Sequence, residues 1–506
     1  MGSGIKRQSP RITLLGCVAL CSLELLAQAW HVKRNALLRG NHAGHAAFSA
    51  ETNVDDSDDH AGEVNFDIQD VHLAFGDSTE TFVFSFSTSF KVEAPAVRIS
   101  TKVEKNFVIP RSTTGFSSQH NKPIDMVGSR VEMKILAQNE FYEFPPSYKS
   151  LYFHHVQLEH LLPSTRYFYQ VGNNPMNDVK SQVWSKTFSF KTPSTNTDTD
   201  KHHKPKDGTK PLHPSLSFAI VGDLGQTVVS QKTLDMIESR KSRVDGIIIA
   251  GDLSYADCDQ SRWESWFQMI QNKQVSQSIP MMVAPGNHEV EGRHMCGNND
   301  VKEEFISYRR RFYMPTAQFA EFRNTYYSFD VRGLAHFIIL CPYCAYDSQS
   351  NQYKWLIDDL KGVDRTKTPW VLVVTHEPFY CSNKAHYKSA EDMRKIYEPV
   401  FDQFHVNMVF SGHIHSYERT HPIKDGKRAT KESPLDGTVY ITVGDGGNRE
   451  GLAIGFFDEK PEWSAVRERR YGFGELQLTP ESLKWIWTCD TESKLEDVVV
   501  LHNDLK

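Results

Sequence analysis

The sequence lacks three features, and each absence argues against a class of protein or a modification. Beyond residue 29, no stretch approaches the ~20 consecutive apolar residues of a membrane span, so no span is expected after that point. Basic residues are not in excess, and the formal net charge of −6 argues against nucleic-acid binding. No Asn-x-Ser/Thr sequon with an allowed middle residue occurs, so N-glycosylation is not expected.

The first 65 residues do not have the pattern of a folded domain. Three basic residues precede an apolar run (12–23) and the small-residue sequence AQA (27–29). This order predicts a signal peptide over 1–29 that is cleaved after Ala29, with an uncleaved signal anchor as the alternative. Residues 30–65 are polar and aperiodic, which indicates a disordered leader or pro-segment. We therefore expect a secreted protein or one in a secretory-pathway or vacuolar compartment.

Cysteine usage agrees with that compartment. An even number outside the predicted signal peptide suggests disulfides, whose pairing the sequence does not give. These cysteines are Cys258, Cys296, Cys341, Cys344, Cys381 and Cys489. The motif CPYC (341–344) resembles a redox Cys-x-x-Cys, but we see no thioredoxin-type βαβ context around it. Structural bridges or free thiols are therefore expected.

Two folded regions are separated by a polar segment. Residues 66–193 show short alternating stretches such as TFVFSFST and RYFYQVG, which predict an antiparallel β-sandwich of immunoglobulin or fibronectin type. Residues 194–214 are rich in Thr, Lys, Asp and Pro, which indicates a linker or loop. Residues 215–506 alternate continuous apolar strands with amphipathic helices, so an α/β domain with its sheets covered by helices is predicted.

Polar side chains follow five of the predicted strands in 215–506. In open α/β sheets ligands bind at the carboxyl ends of strands, so these side chains are expected at one edge. They are Asp223, Asp252, Tyr255, Asn287, His288, His376, His413 and His415. Asp, Asn and Gly also favour ordinary turns, but chance is a poor explanation for five successive strand ends. The glycines that permit tight turns before the key residues are Gly222, Gly251, Gly286 and Gly412.

The donor atoms of this set are oxygen and nitrogen only. Even without His288, two Asp, one Asn, one Tyr and three His are more ligands than one zinc ion takes, and they suit two adjacent metals bridged by a carboxylate. The absence of thiolate argues against a structural zinc site. A two-metal centre stabilises the attacking and leaving oxygens in phosphoryl transfer and makes hydroxide available near neutral pH.

The motifs together carry a family resemblance. In chain order they are GDLG (222–225), GDLSY (251–255), GNHE (286–289), VVTH (373–376) and GHIH (412–415). They resemble the five-motif signature of the purple acid phosphatases, within the metallophosphoesterase superfamily. The likeness covers about residues 66–490, including the β-sandwich, and Tyr255 is its most distinctive member. It implies an acid phosphatase with a dinuclear Fe(III)–M(II) centre.

The resemblance implies a ligand role for each motif residue. Asp223, Tyr255 and His415 would hold one ferric iron per subunit. A phenolate is a hard anionic donor suited to ferric iron, and its charge transfer would colour the protein.

Asn287, His376 and His413 would hold a second, divalent metal, namely Fe, Zn or Mn. The carboxylate of Asp252 would bridge the two metals.

The implied reaction is in-line attack on a phosphate monoester by metal-bound hydroxide. His288 would bind phosphate or assist the leaving group, and His386 would act as general acid or substrate ligand. Glu289 and Glu377 are expected to accept hydrogen bonds from ligand histidines or loop amides rather than to bind metal. Asp445 is expected at the rim of the pocket.

Three functions are weighed for this chain. The first is a phosphatase of broad specificity acting on small-molecule phosphoesters. The second keeps the metals but prefers phosphodiesters or phytate, and the third is a non-catalytic metal-containing binding protein. The partners expected are a small substrate, no nucleic acid and no stable membrane span after signal cleavage. A homodimer is left open, because relatives can dimerise.

Overall fold

The computed structural model describes residues 68–102, 107–112, 131–175, 181–194, 215–315, 324–331, 333–429, 437–490 and 496–503. The predicted signal peptide (1–29), the leader (30–65) and all but the first residue of the linker (194–214) lie outside these ranges. The described ranges belong to one compact unit. None of their helices has the length and apolar character that crossing a membrane requires.

The described chain begins with a β-sandwich. Its strands, together with a separate two-stranded ribbon of β6 and β7, are β1 (Gln69–Phe75), β2 (Phe82–Thr88), β3 (Pro95–Ser100), β4 (Arg111–Ser112), β5 (Glu132–Glu140), β6 (Glu143–Phe144), β7 (Tyr148–Lys149), β8 (Tyr152–Glu159), β9 (Arg166–Asn173), β10 (Val183–Trp184) and β11 (Phe188–Lys191). One sheet has the order β1-β2-β8-β5-β4, and in the other β9 pairs with β3, β10 and β11. The pairs are antiparallel except β4 with β5, which is parallel. The predicted antiparallel sandwich is therefore confirmed, with one short exception.

The sandwich packs directly on the α/β part of the chain. Every residue of β2 is buried, although its sequence alternates apolar and polar side chains. The second face is covered because the α/β part lies against this sheet. The Leu73 amide donates to the Ser276 carbonyl at 2.9 Å, and the His72 ring lies 5.3 Å from both Phe267 and Phe312. Alternation of apolar and polar side chains is typical of a strand with one solvent-exposed face, and the contact with the α/β part buries that face.

The α/β part contains the remaining elements. Its strands are β12 (Leu216–Val221), β13 (Gly246–Ile249), β14 (Met281–Val283), β15 (Tyr327–Val331), β16 (Ala335–Leu340), β17 (Trp370–Thr375), β18 (Met408–Ser411), β19 (Tyr417–Thr420), β20 (Ile423–Lys424), β21 (Lys427–Arg428), β22 (Val439–Val443), β23 (Ser464–Glu468), β24 (Gly472–Leu478), β25 (Ser482–Cys489) and β26 (Glu496–His502). Its helices are α1 (Val228–Glu238), α2 (Ser261–Asn272), α3 (Asn287–Val290), α4 (Arg293–Cys296), α5 (Ile306–Arg311), α6 (Asn351–Gly362) and α7 (Glu391–Gln403).

Two mixed sheets face each other across an apolar core. One has the order β14-β13-β12-β24-β25-β26 and the other β15-β16-β17-β18-β22-β19-β23. Aromatic rings of the two sheets are in contact. The ring centroids of Phe218 in β12 and Phe337 in β16 are 5.1 Å apart, and those of Phe410 in β18 and Trp485 in β25 are 5.0 Å apart. The predicted α/β architecture is confirmed.

Helices cover the outer face of the second sheet. In β16, Phe337 and Ile339 belong to the core between the sheets, whereas Ile338 and Leu340 belong to a second core. Residues of α6 and α7 complete that second core. Successive side chains of a strand point to opposite faces, so a strand buried on both faces needs a nearly continuous apolar sequence, which in β16 is AHFIIL with His336 as its one polar residue.

Cysteines adopt both of the expected states. Cys258 and Cys296 form a disulfide, while Cys341, Cys344, Cys381 and Cys489 are not disulfide-bonded. A βαβ unit surrounds CPYC, although it is not of the thioredoxin type. The motif directly follows β16, and β16 and β17 are parallel with α6 between them in the chain. It differs from a thioredoxin arrangement in that α6 begins only at Asn351.

His336 forms a buried charge cluster away from the strand ends that carry the candidate site. Its Nδ1 lies 2.8 Å from Asp330 Oδ1 and its Nε2 lies 2.8 Å from Asp359 Oδ2. Burial disfavours the imidazolium, but the two carboxylates outweigh it and raise the pKa of His336 to about 9. The group therefore stabilises the fold in its charged form.

We expect His336→Gln to lower the free energy of unfolding by about 2 kcal/mol at pH 6 and by much less at pH 10. The folded pKa is raised above that of the unfolded chain, so this stabilisation is complete below about pH 6.5 and is lost as pH rises through about 9. Urea unfolding of the variant and the parent at both pH values measures the difference. The exposed His502→Gln serves as control, and an equal loss for His336→Gln at both pH values would contradict the assignment.

Candidate metal centre

Five strand ends converge at one edge of the two facing sheets. Asp223 follows β12, Asp252 follows β13, and Asn287 follows β14 as the first residue of α3. His376 follows β17 directly and His413 follows β18 after one glycine. The three parallel strands β12, β13 and β14 belong to one sheet, and the parallel β17 and β18 belong to the other. The centre is therefore built from both sheets.

Three side chains meet in one half of the centre. The Tyr255 hydroxyl donates to Asp223 Oδ1 at 3.1 Å and lies 3.1 Å from His415 Nε2. The same Asp223 oxygen lies 3.3 Å from His415 Nε2. Asp223 and Tyr255 are fully buried, so a phenol, a carboxylate and an imidazole present donor atoms to one point.

Four side chains form the other half. His376 Nε2 lies 3.0 Å from Asp252 Oδ2, and His413 Nδ1 lies 3.0 Å from Asn287 Oδ1. One ligand atom from each of Asp252, His376 and His413 falls within 4.8 Å of the others. The structure thus brings together all seven predicted metal ligands in two adjoining groups.

Backbone carbonyls orient two of the imidazoles. His376 Nδ1 donates to the Ala250 carbonyl at 2.7 Å, and His415 Nδ1 donates to the Gly451 carbonyl at 2.9 Å. Each contact places the ring proton on Nδ1, which leaves Nε2 as the free lone pair. Sequence patterns could not identify these carbonyls, because any residue supplies one.

Close approach of the backbone requires glycine at this edge. Gly251 has φ +87°, and a Cβ there would lie 2.3 Å from His376 Nδ1. A Cβ on Gly286 would lie 2.0 Å from Asp252 Oδ1. The glycines expected at tight turns thus also leave room for a ligand side chain from a neighbouring loop, which lies directly against their Cα atoms.

Glu289 ties two of the ligand loops together. Its carboxylate is fully buried and accepts hydrogen bonds from the amides of Asp252, Leu253 and Gly286 at 2.8, 2.9 and 2.8 Å. Burial and the nearby Asp252 charge raise the pKa of Glu289 to about 8. The expectation that Glu289 bonds loop amides is confirmed by these contacts.

The residues present fit metal ions. The donor set is oxygen and imidazole nitrogen, which suits Fe, Zn and Mn. His376 Nε2 is buried and has no hydrogen-bond partner among the described residues, although it lies 3.0 Å from Asp252 Oδ2. Burial lowers the pKa of His376, but the charges of Asp252 and Asp223 outweigh this and raise it to about 10. The buried carboxylates therefore favour positive charge at this point, which a metal cation supplies.

Three protein-family models match this chain, and together they cover both the β-sandwich and the α/β part. Residues 68–192 match the model for the N-terminal domain of purple acid phosphatases, 216–417 the calcineurin-like phosphoesterases, and 437–498 the iron/zinc purple acid phosphatase-like protein C. Purple acid phosphatase 21 of Arabidopsis thaliana is 40% identical over 341 residues, which are 67% of this chain and 69% of that protein. The chain belongs to the purple acid phosphatase family.

Other relatives agree with this membership. A protein named Fe(3+)-Zn(2+) purple acid phosphatase 12, also from Arabidopsis thaliana, is 33% identical, with coverage of 71% of this chain and 73% of that protein. The purple acid phosphatase PPD1 from yellow lupin seeds shares the fold with a TM-score of 0.68 at 21% identity, covering 86% of this chain and 74% of that one. As a member of the family, this chain is a phosphatase of the metallophosphoesterase type.

His288 stands beside the centre of this phosphatase. Its ring lies 4.0 Å from the Tyr255 ring, its Nε2 is 3.7 Å from Asp252 Oδ2, and its Nδ1 contacts Asp257 Oδ1. Burial lowers the pKa of His288, but Asp252 and Asp257 outweigh this and raise it to about 9. Sequence reasoning missed Asp257, which is two residues after Tyr255 in GDLSYAD, and missed Arg449, which contacts Asp257 and the Tyr255 carbonyl.

His386 lies at the outer side of the centre. Its ring is 4.7 Å from the His413 ring, and its side chain is exposed. Partial desolvation and the positive charge of His415 lower its pKa, so the imidazolium form requires acidic solution.

The prediction that Asp445 lies on the pocket rim was wrong. This residue is fully buried, and its Oδ2 accepts a hydrogen bond from Trp487 Nε1 at 2.8 Å. Asp445 lies in the segment between β22 and β23, in which the Asn448 amide donates to the Asp223 carbonyl at 3.2 Å.

Proposed function

We propose that this phosphatase hydrolyses phosphate monoesters at a dinuclear Fe(III)–M(II) centre, with Asp223, Tyr255 and His415 as the ferric ligands. The observation that carries the proposal is the convergence of seven oxygen and nitrogen donors from five strand ends. In particular, a buried phenol lies 3.1 Å from a carboxylate oxygen and 3.1 Å from an imidazole nitrogen. A relative named for Fe(3+) and Zn(2+) supports the choice of metals.

The other four donors would serve the divalent metal. Asn287, His376 and His413 would hold it, and Asp252 would serve both metals. Asp252 suits this role because one of its oxygens accepts from the His288 amide at 2.9 Å while the other faces His376. These two contacts set its orientation. The metals supply positive charge at the phosphate oxygens and lower the pKa of water.

Two histidines complete the proposed mechanism. Asp257 contacts His288 Nδ1 and favours the charged form of the ring, and Nε2, which lies 3.7 Å from Asp252 Oδ2, would bind a phosphate oxygen. His386, at the outer side, would give its proton to the oxygen of the leaving group. Both roles use protons of the protein itself. Replacing either histidine should therefore lower the rate much more than it lowers the metal content.

The monoester proposal is tested against the diester and phytate alternatives by comparing kcat/KM. We expect kcat/KM on phenyl phosphate to exceed that on the diester methyl phenyl phosphate by about 100-fold, because a dianionic phosphate gains most from two cations and His288. A larger kcat/KM on the diester would overturn the monoester proposal, and a larger value on phytate, whose phosphates are themselves monoesters, would favour the phytase alternative. If the metal-loaded protein hydrolysed none of the three, the non-catalytic alternative would replace it.

Tyr255→Phe tests the ferric assignment by colour. We expect the visible charge-transfer band of the metal-loaded protein to vanish in this variant, because phenylalanine offers no phenolate oxygen. Tyr343→Phe is the matched control, since this tyrosine also borders the centre, 3.4 Å from Asn287 Oδ1, but is not a proposed ligand. A colourless parent with zinc alone after growth in ample iron, or a band that survives Tyr255→Phe, would contradict the assignment.

Entry into the secretory pathway is part of the proposal. The Cys258–Cys296 disulfide supports an oxidising compartment, as do the charged, apolar and small-residue segments before Ala29. N-terminal sequencing of the protein exported by its native host tests it, with Trp30 expected as the first residue. The domain limits 66–193 and 215–506 remain our proposal for the two folded regions.

A further inference from the structure

A pair of cysteines lies directly behind the divalent half of the centre. Cys341 and Cys344 follow β16, and the turn between them is closed by a hydrogen bond from the Cys344 amide to the Cys341 carbonyl at 3.4 Å. Both are free thiols, and their side chains are in hydrogen-bonding contact. Cys341 is fully buried, whereas Cys344 is half-buried. Solution reagents therefore reach Cys344 first.

The residue inside this turn contacts the centre. The Tyr343 hydroxyl donates to Asn287 Oδ1 at 3.4 Å and also bonds the Glu377 carboxylate. Its ring centroid lies 6.2 Å from that of His376. A change in the backbone between the two cysteines thus moves a side chain that contacts one proposed metal ligand and lies beside another.

We propose that Cys341 and Cys344 form a reversible redox modification site, in which a disulfide between them shifts Tyr343 and lowers phosphatase activity. The disulfide itself depends only on the thiol geometry. Its effect on activity rests on the proposed role of Asn287.

The chemistry balances with a small-molecule disulfide such as oxidised glutathione. The Cys344 thiolate attacks one sulfur of that disulfide, forms a mixed disulfide and releases one glutathione thiolate. The Cys341 thiol then attacks the Cys344 sulfur, passes its proton to the departing glutathione sulfur, closes the Cys341–Cys344 bond and releases the second glutathione as a thiol. Two thiols are oxidised, and one disulfide is reduced to two thiols.

The test uses the metal-loaded protein in buffers of varied reduced-to-oxidised glutathione ratio. After thiol alkylation, peptide mass spectrometry reads the cysteine states while kcat/KM is measured on phenyl phosphate. We expect the Cys341–Cys344 bond to form while Cys258–Cys296 stays oxidised throughout. We expect kcat/KM to fall about tenfold and to recover on reduction, since small displacements of positioning groups cost that much.

Variants separate the thiols from the metals. In Cys344→Ser and Cys341→Ser, kcat/KM should equal that of the reduced parent protein and should not change with the glutathione ratio. Tyr343→Phe should form the disulfide but respond less in kcat/KM, because the contact to Asn287 is gone.

Four outcomes decide the proposal. A lasting glutathione adduct on Cys344 without the internal bond would overturn the site. An internal bond with unchanged kcat/KM would overturn the coupling, as would an equal response in Cys344→Ser, which would place the effect at the metals. Disulfide formation in a protein that hydrolyses no phosphoester would support the site and overturn only the proposed function.

Discussion

The variants His413→Ala and His415→Ala are expected to lose different metal ions. The two histidines are separated by one residue, yet His415 Nε2 lies 3.1 Å from the Tyr255 hydroxyl while His413 Nδ1 lies 3.0 Å from Asn287 Oδ1. We expect His415→Ala to lose iron and the visible band, and His413→Ala to lose the divalent ion while keeping colour. Each should lose about 10³-fold in kcat, since a metal is worth several kcal/mol at the transition state.

Metal analysis and the visible spectrum read this result without activity. His405→Ala is the control, because that histidine lies just before β18 and is not a proposed ligand; it should retain both ions. Loss of the same ion from both variants, or of neither, would show that the pair does not divide between two sites. Retained secondary structure by circular dichroism separates ligand loss from unfolding.

Asp252→Asn is expected to reduce kcat by about 10³-fold or more while the protein stays folded. Asparagine keeps an acceptor for the His288 amide, which bonds Asp252 Oδ1 at 2.9 Å, and it keeps the amide that bonds Glu289. What it removes is the charge. Burial raises the pKa of Asp252, but His376 and His288 outweigh this and hold it below its ordinary value, so the native group is a carboxylate.

Asp257→Asn is the matched control for that charge. Asp257 also lies beside His288, and it contacts Arg449 rather than His376. We expect this control to lose about tenfold in kcat/KM and no metal, through weaker positioning of His288. If Asp252→Asn kept full metal content and lost no more activity than Asp257→Asn, the bridging role would fail.

Much of the centre could be predicted because its side chains follow buried strands. A nearly continuous apolar run such as AHFIIL indicates a strand covered on both faces, and parallel strands place their carboxyl ends at one edge. Asp223, Asp252 and His376 are therefore brought together by rules that act on short stretches of sequence. For Glu289, its place beside Asn287 and His288 predicted that it accepts hydrogen bonds, but it did not predict which amides donate them.

The remaining residues depend on contacts between distant segments. Asp257 and Arg449 meet across the fold, and the sequence contains no periodicity that links them. Tyr343 reaches Asn287 only because the turn after β16 lies beside α3. The burial of Asp445 follows from its contact with Trp487 of β25, and the residues next to Asp445 in the sequence do not predict that contact.

The pairing of β12 sets the order of events during synthesis on the ribosome. This strand, which ends just before Asp223, pairs along one edge with β24, where Leu216 lies opposite Leu478. The partner leaves the ribosome some 260 residues after β12, and non-local pairings of this kind form late. A nascent chain that has already exposed GDLG, GDLSY and GNHE therefore still lacks a closed sheet behind them. Lasting metal uptake should consequently follow chain completion, and a message truncated before β24 should yield a polypeptide that retains no iron.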